Sequence, residues 1–521
     1  MRFHPTALRF APRAAEPPAV GRLDRHRRTR RMKRTLLVFL LVNLMLSACA
    51  LVSAPTSTPA PSATPLPTAT ATPTSTATPT STPTAIPTAT PTPIPTIQVG
   101  DLSVPDPRAT NPELFDLRNP NAPIPQFVNA MKMAGIEITA EQVAQGITYE
   151  TLKDKEGSPF VVACYNLDPS LFPEQYRDLA GPIPLIIVKR GENGWGRWES
   201  FTLKVSDKLI NIPIGTLVGG YGDAVNYQKI VNTQISHFSG GAVNFGWSLV
   251  QPLINGYNYN PADSDVNNIL RKMDNQQFTI GMHVVTPIDV PNWLKQQSST
   301  DVGESVRIRV REILQRYGSL RILSLVNEYN HPNGDFFLEK LGDNYYLEVF
   351  RLAREYGNNQ LLMYNDFDNH SSNGTRTRLT RDVVGELRKE GLVDLVGIEF
   401  NLHVNDPFDE EDVVSTLRSY GLPVVITEAN VKLGRIENLP ISERLLRQAQ
   451  LYQKMYQVCV ESGVCIGFNT LQIGDKYSVF EQPHIKEFYN PNNDPTLFDD
   501  NLQPKLAYYA ILSAILNFSS R

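Results

Sequence analysis

The chain is poor in several features that would assign it to a familiar class of protein. Its 521 residues include only four cysteines, too few for a scaffold built on disulfides. The formal net charge is −4 and the charges are spread along the chain, so it lacks the basic patch of a nucleic-acid-binding protein. The eight histidines are scattered and show no Cys/His ligand spacing. We therefore expect a monomer with no nucleic-acid partner, no metal and no cofactor.

The apolar run near the N-terminus, residues 36–46, is too short for a comfortable transmembrane helix. It follows the basic pair Lys33 and Arg34 and closes with small residues before Cys49, which is typical of an export signal. The closing residues resemble the bacterial lipoprotein signal, in which the cysteine is lipidated and becomes the mature N-terminus. We therefore expect residues 1–49 to be an N-terminal extension and signal peptide. The mature protein would be exported and lipid-anchored at the bacterial cell surface through Cys49, the alternative being an ordinary secretory signal.

Charge is absent from residues 51–100, which consist almost wholly of Pro, Thr, Ser and Ala. Such a segment cannot bury a core, and its prolines favour extended polyproline II. We predict a disordered linker over residues 50–100, a semi-rigid stalk that holds the following domains away from a membrane.

Residues 101–198 show a mixed pattern that predicts a small α+β region. Parts of 122–151 look helical, and short stretches such as 160–165 look like strands. Trp195 and Trp198 allow two interpretations: exposed rings that stack on sugars, or rings buried in a cap against the main domain. We favour the cap because large aromatic side chains are more often packed than displayed.

From residue 199 to residue 521, apolar strand-like runs alternate with stretches of helical periodicity such as 345–356 and 443–463. The strand-like runs are nearly continuous apolar residues, as expected when both faces of a strand are buried. Eight such runs with helical crossovers predict an α/β fold, a (β/α)8 TIM barrel over 199–521. The predicted strands span residues 212–218, 241–245, 278–285, 320–326, 360–364, 392–400, 423–427 and 464–471.

Two of these strands end in a glutamate, Glu328 and Glu428, about a hundred residues apart. A retaining glycosidase needs such a pair, one carboxyl as acid/base and one as nucleophile. The alternative is that each is a structural carboxylate in a salt bridge. We prefer the catalytic interpretation because a charge that ends a buried strand usually needs a reason.

Polar side chains also follow most of the other predicted strands, at the end of the barrel where chemistry occurs in this fold. His283, Glu399 and Lys476 belong to this set, together with the candidates named next. Asn327 is a candidate supporting residue. The candidate substrate-binding residues are Asn244, Trp247, Asn365, Asp366, Asn401, Asp475 and Tyr477.

From about residue 201 onward these motifs resemble glycoside hydrolase family 10, the retaining endo-β-1,4-xylanases. The segment 326–328 resembles the acid/base motif of that family, and 426–428 resembles its nucleophile motif. The segment 364–366 resembles its strand 5 motif, and 497–508 its C-terminal signature. The resemblance implies that Glu328 is the acid/base and Glu428 the nucleophile.

The same resemblance implies two further assignments. Asn401-Leu402-His403 is similar to the Gln-x-His motif of strand 6, whose histidine hydrogen-bonds the nucleophile, so His403 is expected to hold Glu428. Cys459 and Cys465 fall where the family often has a disulfide before strand 8.

The chain departs from the family pattern in the shell that grips the sugar, which identifies it as a divergent member. Gly246 stands near Trp247 where the family has a lysine, and Asn469 stands at the position of a tryptophan. His283 is displaced by one residue from the family histidine, and a one-residue shift on a strand turns a side chain to the other face. A packing role for His283 is therefore as reasonable as a catalytic one.

The sequence thus predicts a surface-tethered retaining glycosidase that cleaves internal β-1,4 linkages of xylan and needs no cofactor. A related hydrolase of another β-glycan is the second interpretation, because of the altered shell. The third is a non-catalytic carbohydrate-binding lipoprotein, since a fold alone does not imply a function.

Overall fold

The computed structural model describes residues 93–218, 226–357, 359–434, 439–478 and 493–520. The predicted signal peptide, Cys49 and the linker up to residue 92 lie outside this part of the chain. None of the helices in the described ranges is both long and apolar enough to cross a membrane.

An antiparallel hairpin of β1 (Thr96–Val99) and β2 (Leu102–Pro105) opens the described chain. It corrects the predicted end of the disordered linker, which we had placed at residue 100. The proline-rich repeat stops at Pro95, and the residues that follow have the N–H groups and the β-branched side chains that strand pairing requires.

The region 101–198 has the predicted α+β character. Its helices are α1 (Pro107–Thr110), α2 (Pro123–Met133) and α3 (Ala140–Gln145). Helix α3 begins with a capping box, in which the Thr139 hydroxyl accepts from the Gln142 N–H and the Gln142 side chain accepts from the Thr139 N–H. Its antiparallel sheet contains β3 (Ile147–Lys153), β4 (Pro159–Leu167), β5 (Gly181–Gly191) and β6 (Gly194–Trp195), with β7 (Glu199–Ser200) paired to β5.

Both tryptophans of this region pack on the β1–β2 hairpin. Trp198 is buried and its indole N–H donates to the Pro105 carbonyl at 2.8 Å, while the half-buried Trp195 donates to the Ser103 carbonyl at 2.8 Å. Trp198 belongs to a small apolar core that this region builds for itself. The preference for packed rings was right, but their partner is this hairpin and not the barrel.

The main domain is a closed barrel of eight parallel strands, each paired with the next and the last paired with the first. This confirms the predicted fold, and all eight predicted strands overlap observed ones. The strands are β8 (Ile214–Leu217), β9 (Gly240–Asn244), β10 (Thr279–Met282), β11 (Ile322–Asn327), β12 (Leu361–Phe367), β13 (Leu395–His403), β14 (Val424–Lys432) and β15 (Cys465–Thr470).

Helices connect these strands on the outside of the barrel, as the (β/α)8 pattern requires. They are α4 (Val205–Leu209), α5 (Tyr227–His237), α6 (Trp247–Val250), α7 (Asn260–Asn268), α8 (Asn292–Lys295), α9 (Ser299–Arg316), α10 (Phe336–Leu341), α11 (Tyr345–Tyr356), α12 (Thr377–Lys389), α13 (Glu410–Ser419), α14 (Ile441–Ser462) and α15 (Leu506–Ser519).

A disulfide and a helix make two connections near the last strand of the barrel, the first within the barrel and the second to the α+β region. A disulfide joins Cys459 in α14 to Cys465 at the start of β15, as the resemblance implied, and the buried Cys164 is a free thiol. The almost fully buried helix α15 joins the barrel to the α+β region, since Tyr509 meets Phe127 edge to face with centroids 5.0 Å apart. The α+β region is therefore a packed cap.

Candidate active site

The two predicted catalytic glutamates lie toward the carboxyl end of the barrel, one directly after β11 and one in β14, and both are buried. Glu328 follows the last residue of β11 and is 8% exposed, while Glu428 lies within β14 and is 7% exposed. Glu328 has a backbone φ of +53°, a left-handed conformation that costs a residue with a Cβ about 1–2 kcal/mol. Its N–H donates to the Asn365 carbonyl at 3.0 Å, so pairing with β12 holds the turn that aims the side chain.

The environment of Glu328 favours its protonated form. Burial raises the pKa of Glu328 to about 8, and the negative charge of Glu428 acts in the same direction. Among the described residues the Glu328 Oε2 atom has no hydrogen-bond partner, and the Nε2 atom of His331 is 3.9 Å away. A buried carboxyl with a raised pKa beside a second carboxylate is the usual state of a general acid at neutral pH.

Glu428 is held by His283 and not by the histidine that we had expected. The Nε2 atom of His283 lies 3.2 Å from the Glu428 Oε1 atom, and its Nδ1 atom lies 3.2 Å from the Asn244 Oδ1 atom. Burial acts to lower the pKa of His283, but the hydrogen bond and charge of Glu428, with smaller contributions from Glu328 and Asp289, raise it. His283 is therefore suited to donate a charge-assisted hydrogen bond to Glu428.

The one-residue displacement of His283 is compensated by the backbone. Strand β10 ends at Met282, three residues earlier than predicted, and His283 has a φ of +62°. The left-handed turn breaks the alternation of the strand, so the argument that His283 faces away from the site does not hold. Asn244, a predicted substrate-binding residue, instead orients this imidazole and accepts from the Gly246 N–H at 2.8 Å.

The expected contact between His403 and Glu428 is wrong because of strand register. In the parallel pair β13–β14, Glu399 lies opposite Glu428, and His403 lies opposite Lys432. Four residues along a strand amount to about 13 Å, so His403 is beyond reach of Glu428. Its backbone N–H donates to Asp406, and its ring packs against Gly434.

A network of buried amides connects the two glutamate-bearing strands. The Asn365 Nδ2 atom donates to the Asn327 Oδ1 atom at 2.6 Å and to the Glu399 Oε1 atom at 2.7 Å, and its Oδ1 atom accepts from the Thr427 hydroxyl at 2.6 Å. Asn327 and Thr427 immediately precede Glu328 and Glu428. Since both Nδ2 hydrogens and the Oδ1 atom of Asn365 already have partners inside the protein, Asn365 positions this network and is not a substrate-binding residue, contrary to its predicted role.

Asp366 is also a support and not a substrate-binding residue. It is fully buried and ion-paired with Arg376 at 2.9 Å, and it accepts from the Tyr364 hydroxyl at 2.7 Å. The Arg376 guanidinium also donates to the carbonyls of Tyr329 and Asn330, directly after Glu328. Asp366 thus holds, through Arg376, the loop that carries the acid/base candidate.

Trp247 belongs to the core and offers no face to a sugar. It is 1% exposed, its ring stacks on Phe337 with centroids 5.8 Å apart, and the Arg309 guanidinium lies 4.8 Å above it. Its indole N–H donates to the Gln251 side chain at 3.0 Å. The prediction that Trp247 binds substrate is therefore wrong.

The two candidates after the last barrel strand are structural. Asp475 is buried and ion-paired with Lys505 at 2.8 Å, and it accepts from the Thr496 N–H at 2.8 Å and from the Thr496 hydroxyl at 2.9 Å. Tyr477 is buried in the same turn. Asp475 joins β15 to the C-terminal segment and Tyr477 packs in the apolar core, so the predicted contacts with substrate are corrected for both.

The half-buried Asn401 stays a candidate substrate-binding residue. Its Nδ2 atom donates to the Glu399 Oε2 atom at 3.0 Å, and its Oδ1 atom accepts from Asn430. His331, which lies near Glu328, was not among the residues predicted from the sequence. His283 was predicted only as one of several strand-end residues, with a packing role as an equal alternative. The position of His331 three residues after a candidate acid is a signal that could have found it. Across the described residues, no group of three or more His, Cys, Asp or Glu side chains is arranged to hold a metal ion.

Comparisons with known proteins agree with this barrel. Endo-1,4-beta-xylanase B of Thermotoga neapolitana is 24% identical over 330 residues, which is 60% of this chain and 91% of that protein. Native xylanase 10B of Thermotoga maritima has a TM-score of 0.55 at 20% identity, over 61% of this chain and 99% of its own. Xylanase 10B of Thermotoga petrophila in complex with xylobiose also has a TM-score of 0.55 at 20% identity, over 62% of this chain and 100% of its own.

The family model of glycosyl hydrolase family 10 matches residues 207–514, which is more than half of the chain and nearly the whole barrel. The matched range contains both glutamates and the amide network that supports them. The chain therefore belongs to glycosyl hydrolase family 10 and is a glycosyl hydrolase.

Proposed function

We propose that the protein cleaves internal β-1,4 linkages of xylan by double displacement, with Glu428 as the nucleophile and Glu328 as the acid/base. The observation that carries the proposal is the difference between the two buried carboxyls. Glu428 is hydrogen-bonded to His283 at 3.2 Å, whereas burial and the charge of Glu428 raise the pKa of Glu328 and favour its protonated form.

In the first step a Glu428 oxygen forms a bond to the anomeric carbon while the glycosidic bond breaks. The proton of Glu328 moves to the departing oxygen. In the second step the ionised Glu328 takes a proton from water, and the water oxygen displaces Glu428 from the sugar. Two displacements retain the configuration, which requires carboxyls roughly 5–5.5 Å apart.

Asn327 is proposed to bind the sugar next to the bond that breaks. The Asn365 amide donates to the Asn327 Oδ1 atom, so the Nδ2 group is the part of Asn327 available to donate to a sugar hydroxyl. A hydrogen bond to the 2-hydroxyl strengthens toward the transition state of a retaining glycosidase.

Xylan is the first choice of substrate because the similar proteins are named xylanases, one of them in complex with xylobiose. The shell around Gly246 supplies the reason to keep another β-glycan as the alternative. A side chain at position 246 would collide with the Asp289 carboxylate, so an acidic group stands where the resemblance implies a lysine. An anionic group and a cationic group would favour different sugar substituents.

The test is hydrolysis of xylan, arabinoxylan, β-glucan, cellulose and mannan by the purified protein, with Glu428→Gln as the matched inactive variant. Release of xylo-oligosaccharides that disappears in the variant supports the whole proposal. Activity only on another polymer supports the proposed mechanism but not xylan as the substrate, and it indicates that the residues around Gly246 and Asp289 determine the specificity. Binding without cleavage on every polymer supports the interpretation as a non-catalytic carbohydrate-binding lipoprotein. Undiminished hydrolysis by Glu428→Gln refutes the assignment of Glu428 as the nucleophile.

We propose further that the enzyme is exported as a monomer and anchored by a lipid on Cys49. The support is the sequence pattern before Cys49 and the charge-free stalk that follows it. Replacing Cys49 by Ala should move the enzyme from the detergent phase to the aqueous phase in a detergent partition. Retention in the detergent phase would reject the anchor at this residue.

A further inference from the structure

The site contains a third glutamate, Glu399, which the two-carboxyl mechanism does not use. It lies on β13 directly opposite Glu428 in the parallel pairing with β14. Neighbouring strands are about 4.8 Å apart, so the two side chains start from adjacent backbone positions. Glu399 is 2% exposed, which makes it more deeply buried than either member of the catalytic pair.

Both oxygens of Glu399 contact neutral amides. Asn365 donates to the Oε1 atom at 2.7 Å, and Asn401 donates to the Oε2 atom at 3.0 Å. The positive groups of the site are already committed, because His283 contacts Glu428 and Arg376 contacts Asp366. Within the described part of the chain, no salt bridge reaches Glu399. An ionised carboxylate buried without a cation is costly, and a second one opposite it raises the cost.

We propose that Glu399 is held as a neutral carboxylic acid and serves as a positioning residue for the catalytic pair. The inference rests on the proposed function, because it assumes that Glu428 is the ionised nucleophile. In agreement with it, burial, followed by the charges of Glu428 and Glu328, raises the pKa of Glu399 well above its ordinary value. A single ionised nucleophile then faces the substrate, with no second negative charge beside it.

A neutral Glu399 can keep both of its contacts. Asn365 continues to donate to the Oε1 atom, and a hydroxyl at Oε2 donates to the Asn401 oxygen once the Asn401 and Asn430 amides both turn over, which lets the Asn430 oxygen accept from the Asn401 amide. Through Asn365, Glu399 then fixes Asn327 and Thr427, the residues that precede the two catalytic glutamates.

The ionised alternative makes a different prediction for the pH dependence. A negative Glu399 would stabilise the proton on Glu328, since its charge lies in the same buried site. Removing that charge would lower the pKa of Glu328, and the basic limb of kcat/KM would move to lower pH. If Glu399 is neutral, replacing it by a neutral side chain of the same shape leaves the basic limb of kcat/KM unchanged.

The test compares Glu399→Gln, which replaces a neutral acid by a neutral isostere, with Glu399→Ala, which removes both hydrogen bonds. Glu399→Gln should keep kcat/KM within about threefold and leave the basic limb unmoved, whereas Glu399→Ala should lower kcat about 10- to 100-fold. The exposed Glu386→Gln is the matched control. A basic limb that moves down by about one pH unit in Glu399→Gln, or a folded Glu399→Gln with kcat lowered as far as in Glu399→Ala, overturns the proposal.

A second readout does not depend on catalysis. Infrared difference spectra between the unmodified protein and Glu399→Gln at neutral pH should show the carbonyl stretch of a protonated carboxylic acid, and carboxylate bands alone would overturn the proposal. Glu399→Ala gives the same comparison if Glu399→Gln does not fold. Full activity of Glu428→Gln would refute the proposed function, while the infrared result would still report the protonation of Glu399.

Discussion

Acidic residues follow barrel strands in two regions of this molecule, and the two regions treat them differently. Asp475, after β15, is ion-paired with Lys505 and accepts two further hydrogen bonds from Thr496. Glu328, after β11, is also buried, but one of its oxygens has no hydrogen-bond partner among the described residues and a second glutamate lies near it. A carboxylate whose partners are all supplied by the chain is structural, and one that is buried and unsatisfied is prepared to react.

The largest expected effect is that of Glu328→Gln, which removes the acidic carboxyl proton but keeps the shape of the side chain. We expect kcat on xylan to fall about 10²- to 10⁴-fold, the range for loss of a general acid. The loss should be smaller on an aryl xyloside whose leaving group needs no proton, and steady-state kinetics on both substrates measure the difference. An equal loss on both would count against the role of Glu328 as the acid.

Asp475→Asn should affect stability and not chemistry. Breaking a buried ion pair by removing one partner costs about 3–5 kcal/mol, because Lys505 is left buried without its counter-ion. Urea unfolding should show this loss, while kcat and KM stay within about twofold where the variant is folded. The exposed Asp382→Asn is the control, expected within about 0.5 kcal/mol of the unmodified protein. A raised KM at unchanged stability would show that Asp475 binds substrate, as predicted from the sequence.

The two histidines provide a matched pair. His283→Asn removes a hydrogen bond to a charged group, which is worth about 1.5–3 kcal/mol, so kcat/KM should fall about 10- to 150-fold. His403→Asn should leave kcat/KM within about twofold, because His403 lies opposite Lys432 and away from the nucleophile. Measuring both variants on one substrate decides between them, and the opposite order of effects would return the nucleophile contact to His403.

The last prediction concerns pH. Because the folded pKa of Glu328 is raised to about 8, the basic limb of kcat/KM should lie near pH 8 and be lost in Glu328→Gln. The same shift costs stability: the unfolded carboxyl ionises near its ordinary value, so the cost begins above pH 4.5 and is complete above pH 8. Glu328→Gln should therefore raise the melting temperature at pH 8 more than at pH 4. An equal change at both values would reject the raised pKa.

Much of the fold and the placement of the two candidate glutamates toward the carboxyl end of the barrel could be predicted because their signals are local. A strand buried on both faces is a continuous apolar run wherever it lies in the barrel, so all eight strands were found. The two glutamates each end or interrupt such a run, which is visible without any partner. The ends of β13 and β14 were predicted too early, since both strands continue with alternating polar and apolar residues beyond the apolar run.

The sugar-binding shell was predicted less well because its assignments depend on partners far away in the chain. Trp247 was predicted to bind a sugar, but Phe337 and Arg309 pack against its ring. Asp366 and Asp475 looked available until Arg376 and Lys505 paired with them. A local pattern shows that a polar or aromatic side chain follows a strand, but not what will contact it.

The amino-acid sequence by itself determined the barrel, the order of its strands and the identity of the two glutamates, because apolar runs and strand-end residues are properties of short segments. Only the tertiary structure decided which histidine serves Glu428. A left-handed turn aims His283 at it, and the β13–β14 register carries His403 past it and sets Glu399 opposite it. Register and turn geometry result from the packing of the whole barrel, which no short segment contains.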